Sequence, residues 1–226
     1  MMKYDKSKPL INLHIPKCAG RSFQAVMREW FGRNLETHYY GESKQRMPKK
    51  IRIKKLFSDQ YRPGLCIYGH FNNDRGFGVK DYYPNIDQFI TVVRDPLEAA
   101  ASSYYYCRKV GAKLPDQSRI PQEDINTHLK TAKSDILSHL PFDFTLENYE
   151  DILGNKFIHV GLTEELDASI VAIAHKLGFD PIKVETLNQT KRDQSILEET
   201  KKIFIDKHPL EYAIYEFAKQ NFSKID

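Results

Sequence analysis

The sequence predicts an α/β protein with a mostly parallel central sheet covered by helices on both faces. Two observations lead there. Short apolar runs rich in Ile, Val and Phe alternate with amphipathic runs of helical period. Helices follow three of the four runs, which is the rhythm of strand–helix units in a doubly covered sheet. In such a sheet, ligands sit beyond the carboxyl ends of the strands. Lys17, His70, Arg94 and Gly161 each follow an apolar run and mark that edge.

The strands are read at "LINLHI" (10–15), "LCIY" (65–68), "FITVV" (89–93) and "KFIHVG" (156–161). A first helix covers 22–31. A second covers 96–108, with Asp95 as N-cap and Pro96 at the first helical position. A third covers 164–177, opened by Thr163 and closed near Gly178. Helices over about 195–207 and 209–222 close the chain. The segment 108–145 is less regular: "KVGAKLPDQSRIPQ" reads as a loop and "EDINTHLKTAKSDIL" as a polar helix. A long irregular insertion is either a lid or substrate-binding segment or a solvated excursion.

At 226 residues the chain is read as one domain, 1–226, carrying that insertion. No apolar run approaches the roughly 20 residues that span a bilayer. The start, "MMKYDKSKPL", is polar and lacks an apolar leader, so a cytoplasmic protein is expected. Three cysteines, Cys18, Cys66 and Cys107, show no CxxC spacing, which favours a reduced compartment and gives no metal-ligand pattern. Charge is asymmetric. Residues 1–55 carry 14 Lys or Arg against 4 Asp or Glu, with a cluster at "KQRMPKKIRIKK" (44–55). Such a patch is either a solvated lysine-rich face or a surface for an anionic partner.

The chemistry concentrates in two turns. "HIPKCAGRSF" (14–23) joins a strand to a helix. Such a turn aims backbone N–H groups at one point, a setting for phosphate-like anions. Lys17 adds a full charge, Gly20 permits close backbone approach, and Ser22 offers a hydroxyl. The Walker A pattern is absent. "FITVVRDPLEAAASSYYYCRK" (89–109) repeats the arrangement, with Arg94 at the strand end and Ser102 two turns into the helix. An Arg fork suits a terminal phosphate. Local Arg94–Asp95 pairing, with Ser102 as a small packing residue, is the structural alternative. His14 and His159 lie within apolar runs and read as core. His38 and His128 have no partner motif, and Tyr104, Tyr105 and Tyr106 read as helix packing.

Together, "PKCAGRSF" and "VRDPLEAAASSYYY" resemble the paired cofactor signatures of sulfotransferases. The resemblance is to the group that includes heparan sulfate 2-O-sulfotransferases and bacterial carbohydrate sulfotransferase-like proteins. It implies a P-loop-like three-layer fold and the cofactor PAPS (3′-phosphoadenosine 5′-phosphosulfate, leaving PAP). On this likeness the first loop, Lys17, Cys18, Ala19, Gly20, Arg21 and Ser22, holds the 5′-phosphosulfate. Arg94 and, eight residues on, Ser102 hold the 3′-phosphate. "YGHF" (68–71) is similar to the segment of the family's catalytic histidine, which maps to His70. "FIHVGLTEELDASI" (157–170) is similar to a later strand and helix. "TLNQTKRD" (186–193) resembles a loop over the nucleotide, bringing in Asn188, Thr190 and Lys191. "HPLEYAIYEFAKQNF" (208–222) resembles the terminal helix. Two positions depart: Cys18 and Arg21 stand where the pattern has Thr.

The resemblance implies sulfonyl transfer to a hydroxyl acceptor, a glycan or glycoconjugate, with His70 as base and Lys17 on the leaving phosphate. It requires no metal. An ATP-dependent small-molecule kinase and a catalytically degenerate nucleotide-binding relative are the alternatives. A nucleic-acid partner is not expected, since no such motif accompanies the basic N-terminal quarter. The sequence leaves homo-oligomerisation open.

Overall fold

The computed structural model describes residues 1–183 and 192–222. Five parallel strands form one sheet in the order β2-β3-β1-β4-β5: β1 Leu10–Leu13, β2 Leu35–His38, β3 Cys66–Gly69, β4 Phe89–Val93 and β5 Phe157–Leu162. The helices are α1 Gly20–Phe31, α2 Val79–Tyr82, α3 Pro96–Val110, α4 Ile125–Thr131, α5 Tyr149–Lys156, α6 Leu166–Leu177, α7 Glu198–Lys207 and α8 Pro209–Phe222. The expected α/β class and the mostly parallel sheet both stand.

Alternation along the strands builds the three layers. On one face Leu10, Cys66, Tyr68, Ile90 and Val92 meet Phe23, Val26 and Met27 of α1 and Ile170 and Ile173 of α6. On the other face Ile11, Leu13, Ile67, Phe89 and Val160 meet Leu153 of α5 and Ile214 and Ala218 of α8. A third cluster ties α3 to α4 and α7 through Leu97, Tyr104, Ile125, Leu129 and Phe204.

Several elements differ from the sequence reading. β2 was not expected. It is an edge strand paired only to β3, and of its four residues only His38 is buried. The short helices α2 and α5 were also unforeseen. The strand "LINLHI" stops at Leu13, although the His14 N–H still donates to the Gly69 carbonyl of β3 at 2.8 Å. Gly161 lies inside β5 rather than after it. A Cβ there would approach Ser169 Cβ to 2.9 Å, so Gly161 serves the close seating of α6. Thr163 does not open α6, which starts at Leu166. Its N–H and hydroxyl both donate to the Val93 carbonyl, at 2.8 and 3.0 Å, tying β5 to β4. Asp95 caps α3 as expected, accepting from the Glu98 N–H at 2.9 Å.

The segment 108–145 is mixed: residues 115–119 are exposed, and the part from 125 onward is anchored in the core. Ile125, Leu129, Ile136 and Leu140 are buried within it. The polar helix is confined to α4, capped by Asp124. Among the described residues no helix is long and apolar enough to cross a membrane.

Candidate functional site

The carboxyl ends of β1, β3 and β4 bring three segments together: the turn before α1, the His70 segment, and the start of α3. In the turn, Lys17 and Ala19 both take left-handed backbone angles, φ 66° and 54°. Two non-glycine residues in that region within three positions is costly backbone, of order 1–3 kcal/mol each, and such geometry gathers at ligand clamps. α1 then starts at Gly20, leaving its first N–H groups without intrahelical partners.

The six turn residues are used unequally. Cys18 points into the core, 2% exposed, and burial pushes its thiol up to about 12. Its backbone N–H is taken by the Ile15 carbonyl at 3.3 Å. Cys18 was expected among the cofactor contacts. As placed, its thiol faces the core and its N–H serves the turn. Arg21 is exposed at the helix start and Ser22 is buried. Gly20 has a different reason to be glycine from the one expected. An added Cβ would lie 1.5 Å from Nε2 of His14, so the space is filled by an imidazole, not kept for a ligand. Tyr68 reaches the same point from the sheet, donating its hydroxyl to the Gly20 carbonyl at 2.6 Å.

Arg94 joins the two motifs. Its guanidinium donates to the Lys17 carbonyl at 3.3 Å and lies 3.5 Å from Glu98 of α3. Arg192 donates to both oxygens of the same carboxylate, at 3.0 and 2.5 Å. Glu98 therefore holds two guanidinium groups, which keep its carboxyl below the usual range. The Lys17 ammonium rests over the Tyr106 ring, 4.1 Å from the centroid. Burial and the neighbouring Arg94 and Arg21 guanidinium groups lower its pKa, the response of a cation placed among cations. Glu98, Ser102 and Tyr106 are spaced four apart on α3 and so share one face. Ser102 is half-buried on that face. Tyr106 was read as packing; it carries Lys17 instead, whereas Tyr104 and Tyr105 are buried as expected.

The second half of the site is a histidine stack. His70 Nδ1–H donates to the His14 carbonyl at 2.6 Å. A carbonyl only accepts, so Nδ1 holds the proton and Nε2 keeps its lone pair. The His14 ring stacks on His70 with centroids 4.1 Å apart, and His139 lies 5.8 Å away on another side. His14 Nδ1 meets the Tyr39 hydroxyl at 3.0 Å. Burial, then the neighbouring His139, lower the pKa of His70 to about 4. Burial and the same neighbours lower His14 to about 2, and burial lowers His139 to about 4. All three rings are therefore neutral at pH 7. His14 was read as core and is part of this stack.

A cavity of about 210 Å³ opens beside Lys17. Pro96, Ala99 and Ser103 of α3, His128 of α4, and Lys133 and Asp135 border it. Ser103 lines it; Ser102 does not. His128 is held by Glu123, 2.8 Å from its Nδ1.

The structure thus brings Lys17, Arg21 and Arg94 together at one edge, with Ser22 buried in α1, Ser102 on the α3 face that carries Tyr106, and His70 one stacked ring away from the start of α1. Asn188, Thr190 and Lys191 lie outside the described residues. The sequence reading missed His14, Tyr39, Glu98 and Arg192. Arg192 stood within the quoted "TLNQTKRD", and Glu98, four residues beyond a conspicuous Arg, was legible as a partner. His14 and Tyr39 gave no local signal. Among the described residues no group of three His, Cys, Asp or Glu side chains is placed to hold a metal.

No family model matches the sequence, and comparison with curated proteins finds no match. Solved structures do match, among them the crystal structure of mouse sulfotransferase SULT7A1 complexed with PAP. The identity is 14% and the TM-score 0.45, over 88% of this chain and 63% of that one. The chain thus spans under two thirds of the length of that structure, and no function is carried over from so distant a likeness.

Proposed function

We propose that the chain is a PAPS-dependent sulfotransferase acting on a hydroxyl, with a glycan or glycoconjugate as acceptor. The observation that supports it most is the Arg94–Lys17 contact. Two motifs 77 residues apart meet, so cations from both face one edge of the sheet. The donor set suits an anion with two phosphate ends: Lys17, Arg21 and the α1 N-terminus at one, Arg94 and Ser102 at the other. Carboxylates nearby are already engaged, Glu98 by Arg94 and Arg192 and Asp95 as a cap. The inward turn of Cys18 leaves that donor set intact, which favours a working site over a degenerate one.

PAPS, when bound, supplies a sulfonyl group that passes to the acceptor oxygen as its bond to the 5′-phosphate oxygen breaks. His70 takes the acceptor proton on Nε2, which its bond to the His14 carbonyl leaves free. Burial keeps the ring neutral, and so in its accepting form, across the neutral range, but also lowers its basicity. A bound polyanion adds negative charge beside it and raises its basicity. Lys17 neutralises the charge that develops on the leaving phosphate. His14 is a positioning residue, acting through its carbonyl and its ring.

Calorimetric titration with PAP, AMP and ATP in parallel tests this reading. Tight PAP binding with weak AMP and ATP binding is expected, followed by transfer of labelled sulfonyl in an acceptor screen. ATP bound as tightly as PAP favours a kinase, and no binding by any of the three ends the proposal.

A further inference from the structure

We propose that the hairpin of residues 53–62 is a docking wedge for an anionic lipid surface. Lys55 N–H donates to the Gln60 carbonyl and Arg62 N–H to the Ile53 carbonyl, both at 2.8 Å, with Lys54 opposite Tyr61. The base is anchored. Ile51 and Ile53 pack on the core, the Ile51 N–H meets the Tyr83 hydroxyl at 3.0 Å, and Arg62 pairs with Glu36 at 3.0 Å. The tip is the opposite: Leu56 is 59% exposed and Phe57 95%. Phe57 also sits at φ 59°, a left-handed angle that a bulky side chain rarely takes. The fold therefore holds an aromatic ring out in solvent at a conformational cost.

Cations surround that apolar tip. Lys49, Lys50, Arg52, Lys54 and Lys55 all lie within eight positions of Phe57. Lys54 pairs with Asp59 at 2.8 Å, while Lys49, Lys50 and Arg52 have no ion pair among the described residues. Arg52, Lys54, Lys55 and Phe57 also border a shallow, open surface, with Asp59 beside them. An apolar pair leading and lysines following is the pattern of interfacial insertion. The rings and aliphatic groups enter the acyl boundary while ammonium groups remain at the phosphates. A nucleic acid would stack on Phe57 but leave Leu56 uncovered, and the lipid surface covers both.

Sedimentation of the full chain with vesicles tests this, using phosphatidylcholine alone and phosphatidylcholine mixed with phosphatidylserine. Binding is expected on the mixed vesicles only, weakening as salt rises. Phe57→Ser should lower the vesicle affinity about tenfold or more. Lys54→Glu combined with Lys55→Glu should abolish binding, since each surface cation adds about fivefold. Thermal unfolding and PAP affinity of these variants should match the parent protein. The docking idea can thus fail while the sulfotransferase reading stands, and the reverse. Equal binding to both vesicle types, binding unchanged by Phe57→Ser, or no vesicle binding each overturns the proposal. So does a Phe57-dependent self-association or oligonucleotide binding without vesicle binding.

Discussion

The carboxyl edge of the sheet holds two polar regions built on opposite electrostatic lines. Around Lys17 and Arg94 the groups are cations, stacked on Tyr106 or braced by Glu98. Around His70 the groups are imidazoles kept neutral by burial, with His70 facing both His14 and His139. Both regions meet at Gly20, whose missing side chain admits the His14 ring over the start of α1. The difference is one of solvent: guanidinium groups retain charge at partial exposure, whereas an imidazole surrounded by rings and carbonyls gives up its proton. A site that must bind an anion and accept a proton needs both conditions within a few ångströms, and one layer of packing separates them.

The largest expected effect concerns the neutral half. Burial lowers His14 to about 2, His159 to about 3, and His38, His70 and His139 to about 4. Between pH 6.5 and those values the unfolded chain binds protons that the folded chain refuses. Stability is therefore full above about pH 6.5 and falls as pH drops. Each histidine contributes about 1.4 kcal/mol per pH unit in that window. Urea unfolding at pH 7.5, 6.5 and 5.5 should show a loss of several kcal/mol over the last step. A flat profile would mean that the histidines are not held neutral, and the contrast between the halves would disappear.

Next comes His70→Ala. Turnover should fall by about 10² to 10⁴, with PAP affinity within about threefold of the parent because no anion-holding group is touched. Near-parental turnover would remove His70 from the role of base. A parallel loss of PAP binding would show that the two halves act as one.

Arg94→Ala probes the cationic half. Hydrogen bonds to charged groups are worth about 1.5–3 kcal/mol, so PAP binding should weaken by about tenfold to a hundredfold. AMP, lacking the 3′-phosphate, should lose far less. Equal weakening of PAP and AMP would place Arg94 in loop support through the Lys17 carbonyl instead.

The smallest effect sharpens the picture. Glu98→Gln releases Arg94 and Arg192 from a partly exposed ion pair worth about 0–1 kcal/mol. PAP affinity should rise by up to about fivefold. A fall would show that Glu98 orients the guanidinium groups rather than competing for them.

Much of this was legible beforehand, for identifiable reasons. Buried strands such as "FITVV" announce themselves because both faces are covered, so the run is apolar throughout. α3 was legible because Asp95 and Pro96 punctuate its start. β2 was not, because an edge strand with one buried residue carries no such signal. Lys17, Arg94 and His70 were readable as polar groups at the ends of apolar runs. Gly20 was readable as a special position, though for a mistaken reason.

By itself, the sequence determined the strand–helix rhythm, the cations of the two turns and the candidate base, because periodicity and capping are local properties of the chain. Only the tertiary structure decided that Cys18 faces the core, that Tyr106 carries Lys17, and that His14 fills the space over Gly20 and fixes the tautomer of His70. Those outcomes depend on which surfaces meet across three layers. The spacing of residues along one chain does not encode that meeting: Lys17 and Tyr106, like His14 and His70, lie tens of positions apart and are joined only by packing.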